Sequence, residues 1–158
     1  AFLRRGAALL GDDVIALESQ PGGIFALPSV ASVHLRPGEQ ARLSAVDRST
    51  LGEYRQVAGK TRYVCSHSCE TLPFGALFLL ERSAEGPAIS PLNPVDPIAL
   101  LACTFNLSVQ TPERLTRQLD LISELAATGR IFTVRVLPGD DADSLAAAID
   151  ERLQASAR

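Results

Sequence analysis

At 158 residues, 46% apolar and 21% charged, the chain has the length for one hydrophobic core and the composition of an ordinary folded protein. A net charge of -3 and a pI near 5.4 argue against a nucleic-acid footprint. No apolar run approaches the ~20 residues that span a bilayer, Arg4 and Arg5 interrupt the first apolar residues where a secretory signal would lie, and the odd count of three cysteines offers no disulfide framework, so a cytoplasmic setting without membrane partners is expected.

The chain opens as the last turn of a helix closed by Gly6 at the left-handed C′ position, so an upstream segment is expected. Strands are expected at 7–10 and 14–18, on either side of an acidic pair. Pro21-Gly22-Gly23 is a strong turn signal and makes 14–18 and 24–27 a hairpin. A short strand is expected at 33–35, broken by Pro37-Gly38, then a helix over 39–46. Residues 62–65 and 75–81 read as strands; the apolar run 74–80 fits a buried one. Glu85-Gly86-Pro87 turns the chain into 88–90. Residues 94–105 read as a helix with a stripe at Val95, Ile98, Leu101 and Ala102. Thr111-Pro112-Glu113 supplies an N-cap, an N1 proline and an early acid; the helix that follows places Leu115, Leu119, Ile122 and Leu125 on one face and ends at Gly129. Residues 131–136 show little polar alternation and fit a strand buried on both faces; Pro138-Gly139 then leads to a final amphipathic helix over 141–154. The order predicts one mixed α/β domain over residues 1–158, a mixed sheet with flanking helices.

The most informative feature is Asp12-Asp13, two carboxylates inside an apolar, strand-forming stretch. An acidic pair at a strand end invites a cation, and Mg²⁺ with a bound phosphate answers that need. A polar turn between two strands fits the pair equally well. Gly139-Asp140-Asp141 repeats the tripeptide as an internal control. There the downstream run is helical, so those acids cap free backbone N–H groups. Val14-Ile15-Ala16-Leu17 leans to β structure, so capping does not explain Asp12-Asp13.

Lys60 is the chain's one lysine, and with Arg62 it flanks a predicted strand after Gly59. Two cations beside a glycine suit a phosphate clamp, or a solvated loop. His34 could serve as a base or a phosphate contact, or be an ordinary surface residue. Cys65, His67 and Cys69 alternate. On a straight strand they stand about 6.5 to 7 Å apart, too far to share a zinc ion, so unligated thiols are the favoured reading over a loop-borne zinc site. Ser66, Ser68 and Ser144 have no local partner that marks a nucleophile.

Arg5-Gly6-x-x-Leu9-Leu10-Gly11-Asp12-Asp13-Val14 resembles the segment after the Walker A helix of bacterial HPr kinase/phosphorylase and its relatives. Residues 73–81 lie where that family has a late strand containing Pro and Gly, and Ser90-Pro91-Leu92 with the helix after it resembles the diverged branch of stand-alone serine kinases. The resemblance implies a P-loop kinase core of the HPr-kinase/PEP-carboxykinase type whose N-terminal part, with the phosphate loop, precedes Ala1. It implies ATP and Mg²⁺ as cofactors, Asp13 as the base that accepts the serine proton, Asp12 as metal ligand, and a small protein or peptide with an acceptor serine as partner. Family members are often hexameric, which implies a homo-oligomer. The Gly-Arg-Asn feature associated with dephosphorylation is replaced around Phe74-Gly75, which argues against phosphorylase activity. The alternatives are a non-catalytic binding module on a kinase-like scaffold and a phosphotransferase acting on a metabolite.

Overall fold

A computed structural model describes residues 1–52, 54–65, 70–85, 88–104 and 111–156. Its fold is mixed α/β, with three three-stranded sheets and five α-helices among the described residues. The chain divides into two compact units, one of residues 1–18 and 25–73, the other of residues 19–24 and 74–158.

In the first unit a one-turn 3₁₀ helix, Phe2–Arg5, ends at Gly6 with φ 88°, as the opening residues suggested. Of residues 7–10, Leu9 alone makes a β-bridge, so the expected strand there is not a ladder, and the acidic pair sits in a bend. Strand β1 (Ala16–Gln20) leads through the Pro21-Gly22 turn to β2 (Gly23–Leu27); the tip of this hairpin, residues 19–24, is counted with the second unit. Gly22 and Gly23 both take positive φ, 109° and 132°, which an L side chain resists. Strand β3 (Ser32–Leu35) follows.

The helix expected over 39–46 is instead two. Pro37 is the first residue of a one-turn helix, α1 (Pro37–Gln40), not a break. A second, α2 (Ala45–Leu51), starts at Ser44, whose hydroxyl accepts from Asp47 N while Asp47 reaches back to Ser44 N at 2.9 Å. This reciprocal cap fixes a new start and ends any continuous helix through Leu43. Arg4 Nε reaches Asp47 at 3.1 Å and ties the opening turn to the cap.

Strand β4 (Tyr54–Val57), absent from the sequence reading, pairs antiparallel with β5 (Lys60–Val64) through a two-residue turn, and β5 pairs antiparallel with β3 on its other side. Strand β6 (Leu72–Pro73) pairs with β2, Phe25 opposite Pro73. Alternation along β5 sends Thr61 and Tyr63 into the core and Lys60, Arg62 and Val64 to the other face. Tyr63, Cys65 and Leu51 form the centre of this core, with Leu3, Leu9, Val33, Leu35 and Leu43 around them. The buried Thr61 hydroxyl donates to Gln40 Oε1 and accepts from Gln56 Nε2, each at 2.8 Å, and Gln40 donates to the Tyr63 hydroxyl at 3.2 Å. The buried Thr61 hydroxyl is thus satisfied.

The β4–β5 turn is Ala58-Gly59, with φ 48° and 76°. Both positive angles belong to a type I′ hairpin, where Asn-Gly is favoured. An L-alanine in the left-handed region costs about 1–2 kcal/mol. Ala58→Asn is expected to raise unfolding stability by about 1 kcal/mol in urea titrations; no gain would mean the turn adopts another geometry in solution.

In the second unit β7 (Leu77–Arg82) and β8 (Ala88–Pro91) flank β9 (Ile131–Val136), parallel and antiparallel respectively. The central β9 is the buried strand, as its composition suggested: Val134 is 0% exposed, Ile131 1% and Phe132 2%. Phe132 stacks on Phe78 at 5.2 Å between ring centroids, and the Arg152 guanidinium lies 4.7 Å from the Phe132 ring. The apolar β7 is an edge strand, so its outer residue Leu80 stays 65% exposed rather than buried.

Helix α3 (Pro97–Ala102) is shorter than expected because Asp96 caps it, accepting from Ile98 N at 2.9 Å with Pro97 as its first residue. Its inward residue is Leu100, while Ile98, placed on the stripe by periodicity, is 74% exposed. Phe105 lies outside the described residues. Helix α4 (Pro112–Ala127) starts at the Thr111 cap as expected, and Gly129 follows its end at φ 65°. It buries Ile122 and Leu125 but leaves Leu119 41% exposed, because Gln118 takes the inward position of that turn. The last helix, α5 (Ala142–Ser156), matches the expected element within two residues at each end. No described helix is long and apolar enough to cross a membrane.

Candidate functional site

The first unit contains an open cleft of about 360 Å³ lined by Asp12, Asp13, Val14, Ser29, Val30, Ser32, His34 and Arg62. Three local features build it. Gly11 brings the bend against residue 29: Ser29 N donates to Leu10 O at 2.9 Å, and a Cβ on Gly11 would stand 3.1 Å from Ser29 Cβ. The same Cβ would also meet Ile15 Cδ1, so a side chain on Gly11 would force the Ile15 side chain to move and crowd the bend against this wall. Strand β3 supplies Ser32 and His34 on one face, two residues apart. Strand β5 supplies Arg62, directly opposite His34 in the antiparallel register.

The two acids differ in their surroundings. Asp12 Oδ2 accepts from the His34 backbone N–H at 3.4 Å, and His34 Nδ1 lies 3.6 Å from the same oxygen. The second distance suits charge attraction to a protonated imidazole but is too long for a hydrogen bond. Asp13 makes no hydrogen bond or ion pair among the described residues, and its side chain is exposed on the rim. Because the pair sits in a bend, both acids line one cleft instead of projecting to opposite sides of a strand.

The repeated tripeptide behaves as its sequence suggested. Asp141 Oδ2 accepts from Ser144 N and from the Ser144 hydroxyl, each at 2.9 Å, at the start of α5, and Asp140 accepts from Leu137 N at 2.6 Å. Those acids serve local turns. Asp12 reaches across 22 residues, and no helix follows it.

Of the two cations considered for a phosphate clamp, Arg62 lines the cleft, while exposed Lys60 stands one step along β5 on the same face, outside the lining. The Arg62 Nε is buried and has no hydrogen-bond partner among the described residues. Beneath the site, the buried Cys65 has its thiol pKa pushed up, chiefly by burial and further by the Asp12 charge, against a hydrogen bond from Val33 that lowers it. A thiol so placed stays protonated at neutral pH and is a poor metal ligand. His67 and Cys69, the other members of that alternating set, lie outside the described residues; Cys103 is an exposed thiol.

Among the described residues no group of three or more His, Cys, Asp or Glu side chains converges on one metal position. The donor set at the bend is two neighbouring carboxylates. That suits Mg²⁺, which takes one or two protein carboxylates and completes its octahedron with water and substrate phosphate oxygens, rather than Zn²⁺ or Ca²⁺, which need more protein ligands.

The sequence flagged Asp12, Asp13, His34 and Arg62 one by one, and the fold brings all four into one cleft. It gave no sign of Ser29 and Ser32, whose place depends on the approach of residues 10–11 to residue 29. Compared with known proteins, no family model, no curated protein and no solved structure matches the chain.

Proposed function

We propose that the protein is an ATP- and Mg²⁺-dependent serine kinase of the HPr-kinase-like class, with the corresponding P-loop kinase core, acting in the cytoplasm on a small protein or peptide. The observation that carries this reading is the Asp12-Asp13 bend in a cleft shared with His34 and Arg62. Phosphoryl transfer asks for carboxylates beside cations in one concave site, because the reaction is mostly positioning and charge stabilisation.

Asp13, exposed and without a partner among the described residues, acts as the base. The acceptor serine oxygen attacks the γ-phosphorus, the bond from that phosphorus to the β–γ bridging oxygen breaks, ADP leaves, and the serine proton passes to the Asp13 carboxylate. Asp12 would hold the Mg²⁺, which when bound neutralises charge developing on the transferred phosphoryl group. His34 orients the Asp12 carboxylate from one side. Arg62 faces the cleft as an anion contact.

The test is transfer of label from γ-labelled ATP by the full-length protein, with Mg²⁺ and without it, to serine-containing peptides and to small metabolites. Labelled phosphoserine that requires Mg²⁺ is the expected result. Label on metabolites alone would assign a metabolite phosphotransferase. No transfer to either would leave a binding module, a reading favoured by the engagement of Asp12 with His34.

A further inference from the structure

The outer face of the β3–β5–β4 sheet carries charges that lie outside the cleft. Residues directly opposite in antiparallel pairs share a face. Arg55 stands opposite Arg62 and Val57 opposite Lys60, and alternation along β5 adds Val64 to the same side. The other side of β5 is filled by the buried Thr61 and Tyr63, so this face looks away from the core. Arg55 and Lys60 are exposed, and Val57 and Val64 beside them are 46% and 47% exposed.

Arg62 belongs to the cleft, and its Nε is buried. Arg55 and Lys60 belong to the open face beyond it. Neither has an acidic partner among the described residues, although the chain carries 18 acids against 15 lysines and arginines. Arg55 directly opposite Arg62 is a like-charge pair, which destabilises a sheet unless an anion relieves it. Strand β4 is an edge of this sheet, and all four of its residues are exposed. Two exposed cations interleaved with two exposed valines complement a segment that is acidic and partly apolar. In the kinase reading the donor's phosphates belong to the phosphate loop, which leaves this face to the acceptor.

Strand spacing sets which part of the acceptor reaches it. Two gaps between neighbouring strands separate β4 from β3 by about 10 Å. An extended peptide rises about 3.3 Å per residue, so about three residues cross from the cleft to Arg55. Lys60, on the central strand, stands one gap nearer. We propose that this face selects the acceptor: it seats an acidic stretch about three residues from the acceptor serine, with carboxylates on Arg55 and Lys60. This deepens the kinase reading and rests on it for the placement of the serine beside Asp13; the docking of the acidic stretch is tested without it.

Three fluorescent peptides of equal length are the probes: one with glutamates at the third and fourth positions from its serine, one with glutamines in their places, and one with the glutamates moved to the far end. Binding to the full-length protein is read by anisotropy without nucleotide, and transfer by kcat/KM with ATP and Mg²⁺. The first peptide should bind more tightly than the glutamine peptide and should have the highest kcat/KM of the three, mostly through KM. Arg55→Gln and Lys60→Gln should each weaken its binding about 2- to 5-fold, as loss of an exposed ion pair does, and the double variant about 10-fold. Arg117→Gln, on an exposed turn of α4, should leave it unchanged. Equal binding of the acidic and glutamine peptides, or binding indifferent to Arg55→Gln and Lys60→Gln, overturns the proposal. Equal kcat/KM with the glutamates near and far overturns the spacing. Binding with the expected dependence but no phosphate transfer keeps the docking face and removes the kinase reading. Transfer without preference for the acidic peptide does the reverse.

Discussion

Asp13→Asn is expected to lower serine phosphorylation by the full-length protein roughly 10²- to 10⁴-fold, the usual contribution of a positioned general base. The substitution keeps the shape and removes the group proposed to take the serine proton. It should leave stability unchanged, because Asp13 is exposed and makes no hydrogen bond or ion pair among the described residues. Rate and unfolding midpoint are therefore measured on the same sample. A large loss of rate with an unchanged midpoint supports the role; an unchanged rate removes it. Asp12→Asn is distinguishable, because Asp12 is the proposed metal ligand and also contacts His34. Its loss should be partly recovered at raised Mg²⁺, which Asp13→Asn should not show.

The largest effect on stability is expected at Phe132. Its side chain is 2% exposed on the central strand of the second unit, stacked on Phe78, with the Arg152 guanidinium against its ring. Truncating a buried phenylalanine costs about 3–5 kcal/mol, from lost transfer energy and the cavity left behind. Whole domains are stable by only about 5–15 kcal/mol, so Phe132→Ala should leave β7, β8 and β9 with little protection from amide exchange. Leu80→Ala, on the exposed side of the edge strand, should change stability by less than about 0.5 kcal/mol. Similar costs at the two positions would mean that β9 is not the centre of this core.

The elements that were legible in the sequence carry their own boundaries. Thr111-Pro112 starts α4 and Gly129 follows its end, because cap and φ preferences act within a few residues. The scarcity of polar alternation in β9 announced a buried strand, although Thr133 and Arg135 are only half-buried. Strand β4 was hidden because Tyr54-Arg55-Gln56-Val57 has no clean alternation and its turn is Ala58-Gly59 rather than Asn-Gly. The split between α1 and α2 was hidden because the cap at Ser44 is closed by Asp47, one carbon shorter than the usual Glu or Gln. The phase of α4 slipped because Gln118 holds an inward position that hydrophobicity alone gives to Leu119.

The candidate site divides in the same way. Asp12-Asp13 stands out locally, since acids in an apolar stretch demand a reason. Its meeting with His34 and Arg62 depends on the pairing of β3 with β5, across 28 positions between His34 and Arg62. No local pattern encodes that register. The alignment of His34, Arg62 and Arg55 across three strands is likewise a product of two registers, visible once the strands are aligned.

The most direct measurement of the central claim is paramagnetic broadening of backbone amide resonances by Mn²⁺, standing in for Mg²⁺, in the presence of ATP. If the acidic bend holds the metal, broadening centres on Asp12 and Asp13 and reaches Ser29 and His34 across the cleft, while Asp140 and Asp141 stay sharp. Broadening centred on Asp140 and Asp141, or no localised broadening, would contradict it.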